Sequence, residues 1–302
     1  YSHLRTFDSG HIRGIIGGGS WSSGASMINA RAAFRGSGMY NSALVAMDQF
    51  APHASSNTAT EEYEGIAWAA GGAANRDFSR GNQVGYVNAA VKWGGYVQKC
   101  ETEEYNGTAW SNVSNMSNGQ HSGGAAGTQN AALAFQGRTG GVNSGTCTEE
   151  YNGTSWSTSG AVGSGARYTS QGFGSQNSAV AFGNQADTHL YDGSAWSTLS
   201  GVVAAHPNYA NGQSVGTQTG GLAFGGGNAY AGSANTTTYQ FDGSVWSSVG
   251  TMITFQGHKF AGGAGDSHRS LAFGGNADSP YNTGGGGNGC TRMDEWDGNF
   301  IN

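Results

Sequence analysis

Three glutamate pairs, Glu61/Glu62, Glu103/Glu104 and Glu149/Glu150, are the residues of this chain most readily suspected of chemistry. Two carboxylates flanking one bond can serve as acid and nucleophile in glycoside hydrolysis. Each pair here runs directly into a tyrosine within a strand-like segment, and neighbours on a strand point to opposite faces. Such a pair cannot flank one bond. The expectation is structural: one carboxylate hydrogen-bonds between packed sheets and the other meets solvent. Recurrence argues the same way, since a catalytic pair is not expected in every unit of a repeat array.

The other reactive side chains are dispersed. Eight histidines (His3, His11, His53, His121, His189, His206, His258 and His268) show no H-x-x-x-H spacing. Cys100, Cys147 and Cys290 show no C-x-x-C spacing and, being three, cannot all pair. All three precede the same motif by a few residues, which places them at one position in three repeats. No catalytic residue, cofactor or side-chain metal site is expected. A structural calcium held by aspartate and loop carbonyls stays open, because carbonyl ligands leave no mark in a sequence. Asn106-Gly107-Thr108 and Asn152-Gly153-Thr154 match a glycosylation sequon, but the same position reads Asp192-Gly193-Ser194 further on, so a hairpin turn is expected there.

Composition narrows the classes. Of 302 residues 55 are glycine and only 3 are proline, while 34 are aromatic (8 Trp, 13 Tyr, 13 Phe). Collagen would need abundant proline, and disordered segments are poor in aromatics. The net charge is −6 and the lysines are Lys92, Lys99 and Lys259, which argues against a nucleic-acid partner. No apolar run is long enough to suggest membrane insertion.

The elements emerge from the repeats. Glu61-Glu62-Tyr63-Glu64-Gly65-Ile66-Ala67-Trp68 recurs as Glu103–Trp110, Glu149–Trp156, His189–Trp196 and Tyr239–Trp246, with a truncated copy at Asp294–Asn299. A second anchor precedes each copy, as in Gly127-Thr128-Gln129-Asn130-Ala131-Ala132-Leu133-Ala134-Phe135, and several copies end in di-glycine: Gly94-Gly95, Gly225-Gly226 and Gly274-Gly275. Each unit reads as four short strands. A small-residue strand turns at Thr-Gln-Asn into the Ala-Leu-Ala-Phe strand, a variable loop leads to the Glu-Glu-Tyr strand, and Asn-Gly or Asp-Gly makes a type I′ hairpin to the Trp strand. One four-stranded sheet cannot bury both faces, whereas six arranged radially can. The fold expected is therefore all-β: a single six-bladed β-propeller over 1–302. Its units are approximately 22–68, 69–110, 111–156, 157–196, 197–246 and 247–302. The surplus strand around Trp21 is expected to complete the last blade, with 1–21 closing the ring.

The order of di-glycine, tyrosine and tryptophan resembles kelch-type propeller repeats across nearly the whole chain. The alternating Ala-Leu-Ala-Phe-Gly-Gly and Thr-Glu-Glu-Tyr-Asn-Gly-Thr-Ser-Trp blocks are similar to kelch-like repeat proteins encoded by tailed phages. Arg31 and Arg167 fit the kelch first-strand arginine, while Gln120, Tyr209 and His258 stand there in other units. The resemblance implies a non-enzymatic virion structural or adhesive protein: a tail fibre, spike or capsid-surface component in a virion or extracellular setting. Its implied partners are other virion proteins and a host-surface glycan. The alternatives are a free carbohydrate-binding lectin and a propeller-scaffold enzyme such as galactose oxidase. The last would need copper ligands from His and Tyr and a Cys-linked Tyr, which cysteines spread over three repeats do not favour.

Recognition is expected on one face. The first-to-second and third-to-fourth turns are short and uniform, whereas the second-to-third loops vary widely and emerge together with the crossovers between blades. Variable loops on a rigid scaffold are where binding is usually placed. Tyr96, Arg138, Tyr230, Asp278 and Tyr281 are the candidates there, offering stacking faces and hydrogen bonds to a sugar.

Overall fold

The computed structural model describes residues 18–31, 34–46, 58–96, 99–138, 145–163, 170–183, 185–199, 212–226, 236–253, 262–275 and 290–298. Every regular element among them is a strand, and no helix is long and apolar enough to cross a membrane. The chain enters on β1 (Ser20–Ser23). Blade 1 comprises β2 (Ser37–Met39), β3 (Ser42–Val45), β4 (Thr60–Tyr63) and β5 (Trp68–Gly71). Blade 2 comprises β6 (Asn82–Tyr86), β7 (Ala89–Trp93), β8 (Thr102–Tyr105) and β9 (Trp110–Val113). Blade 3 comprises β10 (Gly124–Thr128), β11 (Ala131–Phe135), β12 (Thr148–Tyr151) and β13 (Trp156–Ser159). Blade 4 comprises β14 (Gln171–Ser175), β15 (Ser178–Gly183), β16 (Gln185–Tyr191) and β17 (Trp196–Leu199). Blade 5 comprises β18 (Gln213–Thr217), β19 (Gly220–Phe224), β20 (Thr237–Phe241) and β21 (Trp246–Thr251). Blade 6 comprises β22 (Gly262–Gly265), β23 (Arg269–Phe273) and β24 (Met293–Asp297).

Strands pair antiparallel in chain order in the first five blades, and the sixth has the order β1-β24-β23-β22. Trp21 lies opposite Trp296, so the entering strand is the fourth strand of the last blade, as expected. First strands of neighbouring blades touch all the way around: β2 with β6, β6 with β10, β10 with β14, β14 with β18, β18 with β22, and β22 with β2. The chain is a closed six-bladed propeller with glycine and alanine on these inner strands.

The repeated motifs are the fastenings between blades. The indole Nε1 of Trp110, Trp156, Trp196 and Trp246 donates to the hydroxyl of the threonine three residues before the third-strand tyrosine of the preceding blade: Thr60, Thr102, Thr148 and Thr188. Trp21 does the same to Thr238 at 2.7 Å, joining blade 6 to blade 5. Trp68 alone breaks the pattern. The matching position in blade 6 is Met293, and the Trp68 Nε1 is buried without a hydrogen-bond partner among the described residues. The turn glutamines add a second fastening: Gln129 donates to Ala90 O and Tyr105 O, and Gln176 and Gln218 repeat this one blade further each time.

Two sequence expectations are corrected. The third-to-fourth connection is not a two-residue type I′ turn, because Tyr105 pairs with Trp110 across four intervening residues. Asn106 Oδ1 instead accepts from the Thr108 and Ala109 amides, and only Gly107 takes a positive φ, +91°. A type I′ turn would need two such residues. The second carboxylate of each pair does not simply face solvent. Glu62, Glu104 and Glu150 accept from the hydroxyls of Tyr105, Tyr151 and Tyr191 in the next blade, and Tyr63 reaches back to Glu295. The first carboxylate is buried and caps a crossover: Glu61 accepts from the Ile28 and Asn29 amides, and Glu149 from those of Ser117 and Asn118. Both members of each pair are thus taken up in holding blades together.

Candidate functional site

The loop face gathers a cationic and aromatic patch between blades 2 and 3. It begins at the di-glycine after β7. Gly94 and Gly95 have φ of +74° and +134°, and a Cβ on Gly94 would fall 2.3 Å from Gln120 O. Only glycine lets this loop lie against the crossover that precedes β10. The Gly95 amide donates to Gln120 O at 2.9 Å and the Tyr96 amide to Ser79 O at 2.6 Å. The Tyr96 ring is thereby brought edge-on to His121, with centroids 5.6 Å apart, while the Arg80 guanidinium lies 5.2 Å from the Tyr96 centroid. Arg138 follows β11 and forms an antiparallel bridge with His121 through both backbone amides.

The backbone here is held in an unusual conformation. Arg80, Ser122 and Gln136 have φ of +59°, +57° and +56°, and they are the three non-glycine residues with positive φ among those described. Such positions cost energy and persist where surroundings impose them, most often at binding sites. The Ser122 amide donates to Arg80 O at 2.8 Å, so two of the three share one contact. Electrostatics follow from the same packing. His121 is held at a pKa of about 4, chiefly by burial and then by Arg80 and Arg138, so it is neutral at pH 7. Burial also lowers the Arg80 pKa, opposed by Tyr96 and reinforced by Arg138. Tyr96 is 49% exposed, and Arg138 Nε is a buried donor without a hydrogen-bond partner among the described residues. The patch therefore offers an exposed aromatic face, backed by a buried neutral imidazole and flanked by arginines, to a ligand carrying hydroxyl or acidic groups.

Of the five residues nominated from the sequence, Tyr96 and Arg138 come together in this patch. Tyr230, Asp278 and Tyr281 lie outside the described residues. Sequence reasoning missed Arg80 and His121, which sit in crossovers just ahead of first strands. The cysteines occupy three successive positions, two, one and three residues ahead of β8, β12 and β24, rather than one shared position. They remain in separate blades, each a free thiol. Among the described residues no group of His, Cys, Asp or Glu is arranged to hold a metal ion. Arg31, matched above to the kelch first-strand arginine, lies ahead of β2 and pairs with Glu61 at 2.9 Å, both side chains fully buried. Arg167 falls outside the described residues.

No protein-family model and no curated protein matches the chain. Among solved structures, that of YjhT is similar over 89% of this chain and 95% of its own, with a TM-score of 0.67 and 12% identity. At that identity the likeness shows the propeller fold alone.

Proposed function

We propose that this propeller is a non-enzymatic structural or adhesive component of a phage particle, presenting its loop face to a host surface or a neighbouring subunit. The observation that carries the reading is the Arg80–Tyr96–His121–Arg138 patch. It combines an exposed aromatic ring, a buried guanidinium donor with no partner among the described residues and a strained backbone on the face where the variable loops emerge. Such a surface suits a sugar ring stacked on Tyr96 with its polar groups directed to the arginines. The kelch-like, phage-type repeats support the virion setting. The absorption of every Glu-Glu pair into blade contacts supports a binding role over hydrolysis.

A glycan array probed with the isolated propeller and with Tyr96→Ala and Arg138→Ala tests the site. Binding by the wild type that falls at least tenfold in both variants is the expected result. Equal binding by all three, or none by any, refutes the loop-face assignment. The particle assignment has its own test in the genes that flank this one, where portal, tail or capsid genes are expected. The second reading, a free lectin, rests on the same patch and would be favoured by glycan binding in the absence of such neighbours.

A further inference from the structure

A second site lies on the axis of the ring. The six first strands enclose a channel of about 510 Å³ that opens among the first-to-second turns. Its walls are mostly backbone and small side chains, and among its described lining residues Arg35 is the one cation and Asp266 the one acid. Asp266 is already engaged, since its Oδ1 accepts from the His268 and Arg269 amides at 2.7 and 3.0 Å. Arg35 lies across the end of the channel nearest the loop face. The corresponding positions in the other blades, each opposite the last aromatic of the second strand, are Asn82, Gly124, Gln171, Gln213 and Gly262. The charge therefore occurs once in the ring, where the repeat otherwise places an amide or nothing.

Among the described residues all the partners of Arg35 are neutral. Nε donates to Asn82 Oδ1 at 3.1 Å, and Nη2 donates to Gly123 O at 2.8 Å and Ser170 O at 2.6 Å. The Nη1 hydrogens have no partner among the described residues. Beside it Asn82 is fully buried, and its Nδ2 donor is unpartnered as well. Burial lowers the Arg35 pKa to about 10, with no opposing contribution from a carboxylate. A desolvated guanidinium without a counter-charge is unfavourable, and the natural way to relieve it is a bound anion that accepts from the free donors.

We propose that the axial channel is an anion-binding site, in which Arg35, through its Nη1 donors, holds a small oxyanion: a carboxylate, or a phosphate or sulfate group. The site is separate from the loop-face patch and does not depend on the function proposed above. A ligand enters from the turn face, past the mouth formed by Met39, Tyr86, Thr217 and Asp266.

Thermal unfolding is followed in sodium acetate, phosphate or sulfate, each against chloride at equal ionic strength, for the wild type, Asn82→Asp and Arg35→Gln. Asn82→Asp sets a carboxylate against Arg35 and so supplies the anion from within, while Arg35→Gln removes the cation. The wild type is expected to show a saturable rise in Tm of about 2 °C at tenfold Kd. Both variants are expected to lose it. A response to acetate alone identifies a carboxylate, and a response to phosphate and sulfate alone identifies a tetrahedral anion. General salt effects and any binding at Arg80 or Arg138 persist in the variants. A saturable response equal in wild type and variants, or no saturable response in the wild type, overturns the proposal. Should Asn82→Asp fail to fold, Arg35→Gln decides by the same readings.

Discussion

The tryptophan fastenings make a quantitative prediction, because the ring contains its own control. Trp110, Trp156, Trp21 and Trp246 are 5–8% exposed and each donates through Nε1 to a threonine hydroxyl of the preceding blade. Trp68 is 7% exposed, at the same position of the repeat, with no acceptor among the described residues. Trp→Phe removes the indole N–H and a similar volume at every site, so the shared packing loss cancels in the comparison. What remains is the hydrogen bond, about 1–2 kcal/mol net, since the threonine hydroxyls lose a donor in a buried place. Near the melting temperature a chain of this length changes stability by roughly 0.6 kcal/mol per degree. Trp110→Phe and Trp156→Phe should therefore melt about 2–3 °C below Trp68→Phe. The assay is equilibrium denaturation and calorimetry of the three variants. A double-mutant cycle pairing Trp110→Phe with Thr60→Val should show coupling of similar size. If Trp68→Phe costs as much as the other two, the inter-blade hydrogen bonds are not what the tryptophans contribute, and the reasoning fails.

Two further predictions concern pH. Burial, reinforced by the neighbouring glutamates, pushes the hydroxyls of Tyr63, Tyr105 and Tyr191 up to about 12. Unfolded tyrosines ionise near 10, so the stability held by these hydroxyls is intact below that pH and is lost as pH rises from about 10 to 12. Tyr105→Phe combined with Tyr191→Phe should flatten this fall in denaturation midpoints measured at pH 9, 10 and 11; an unchanged slope counts against the Tyr–Glu contacts. At the acid end His121 has a folded pKa of about 4 against about 6.5 unfolded. Its contribution is present above pH 6.5 and is lost as pH falls toward 4, by roughly 2 kcal/mol after allowing for solvent at the loop face. His121→Asn should remove that part of the acid slope, and a persistent slope would place it elsewhere.

Much of this architecture is legible in the residues that repeat. Thr-Glu-Glu-Tyr, Asn-Gly and Trp mark strand ends because each makes the same contact in successive blades, and a surplus Trp21 strand facing an incomplete last copy points to closure. The errors arise where the meaning of a repeated residue depends on the neighbouring blade. Glu62 looks solvent-facing until Tyr105 of the next blade is in place, and Asn106 looks like half of a type I′ turn until its side chain is seen capping two amides. The candidate site was harder to read because it is built where repetition stops. Tyr96 and Arg138 were found as loop residues of suitable chemistry. Arg80 and His121 lie in crossovers, and only the ring brings them to the same patch. Arg35 did leave a trace: a charge at a position filled in other blades by asparagine, glutamine or glycine.

The central claim is that the ring closes through β1 on β24, and removing residues 1–23 tests it directly. The truncated chain loses Trp21, its contacts with Phe224 and Trp296 at 5.0 and 5.5 Å, and its hydrogen bond to Thr238. Loss of a buried tryptophan alone costs about 3–5 kcal/mol. The account predicts melting at least about 5 °C lower than that of the full chain. Melting at the same temperature would contradict it.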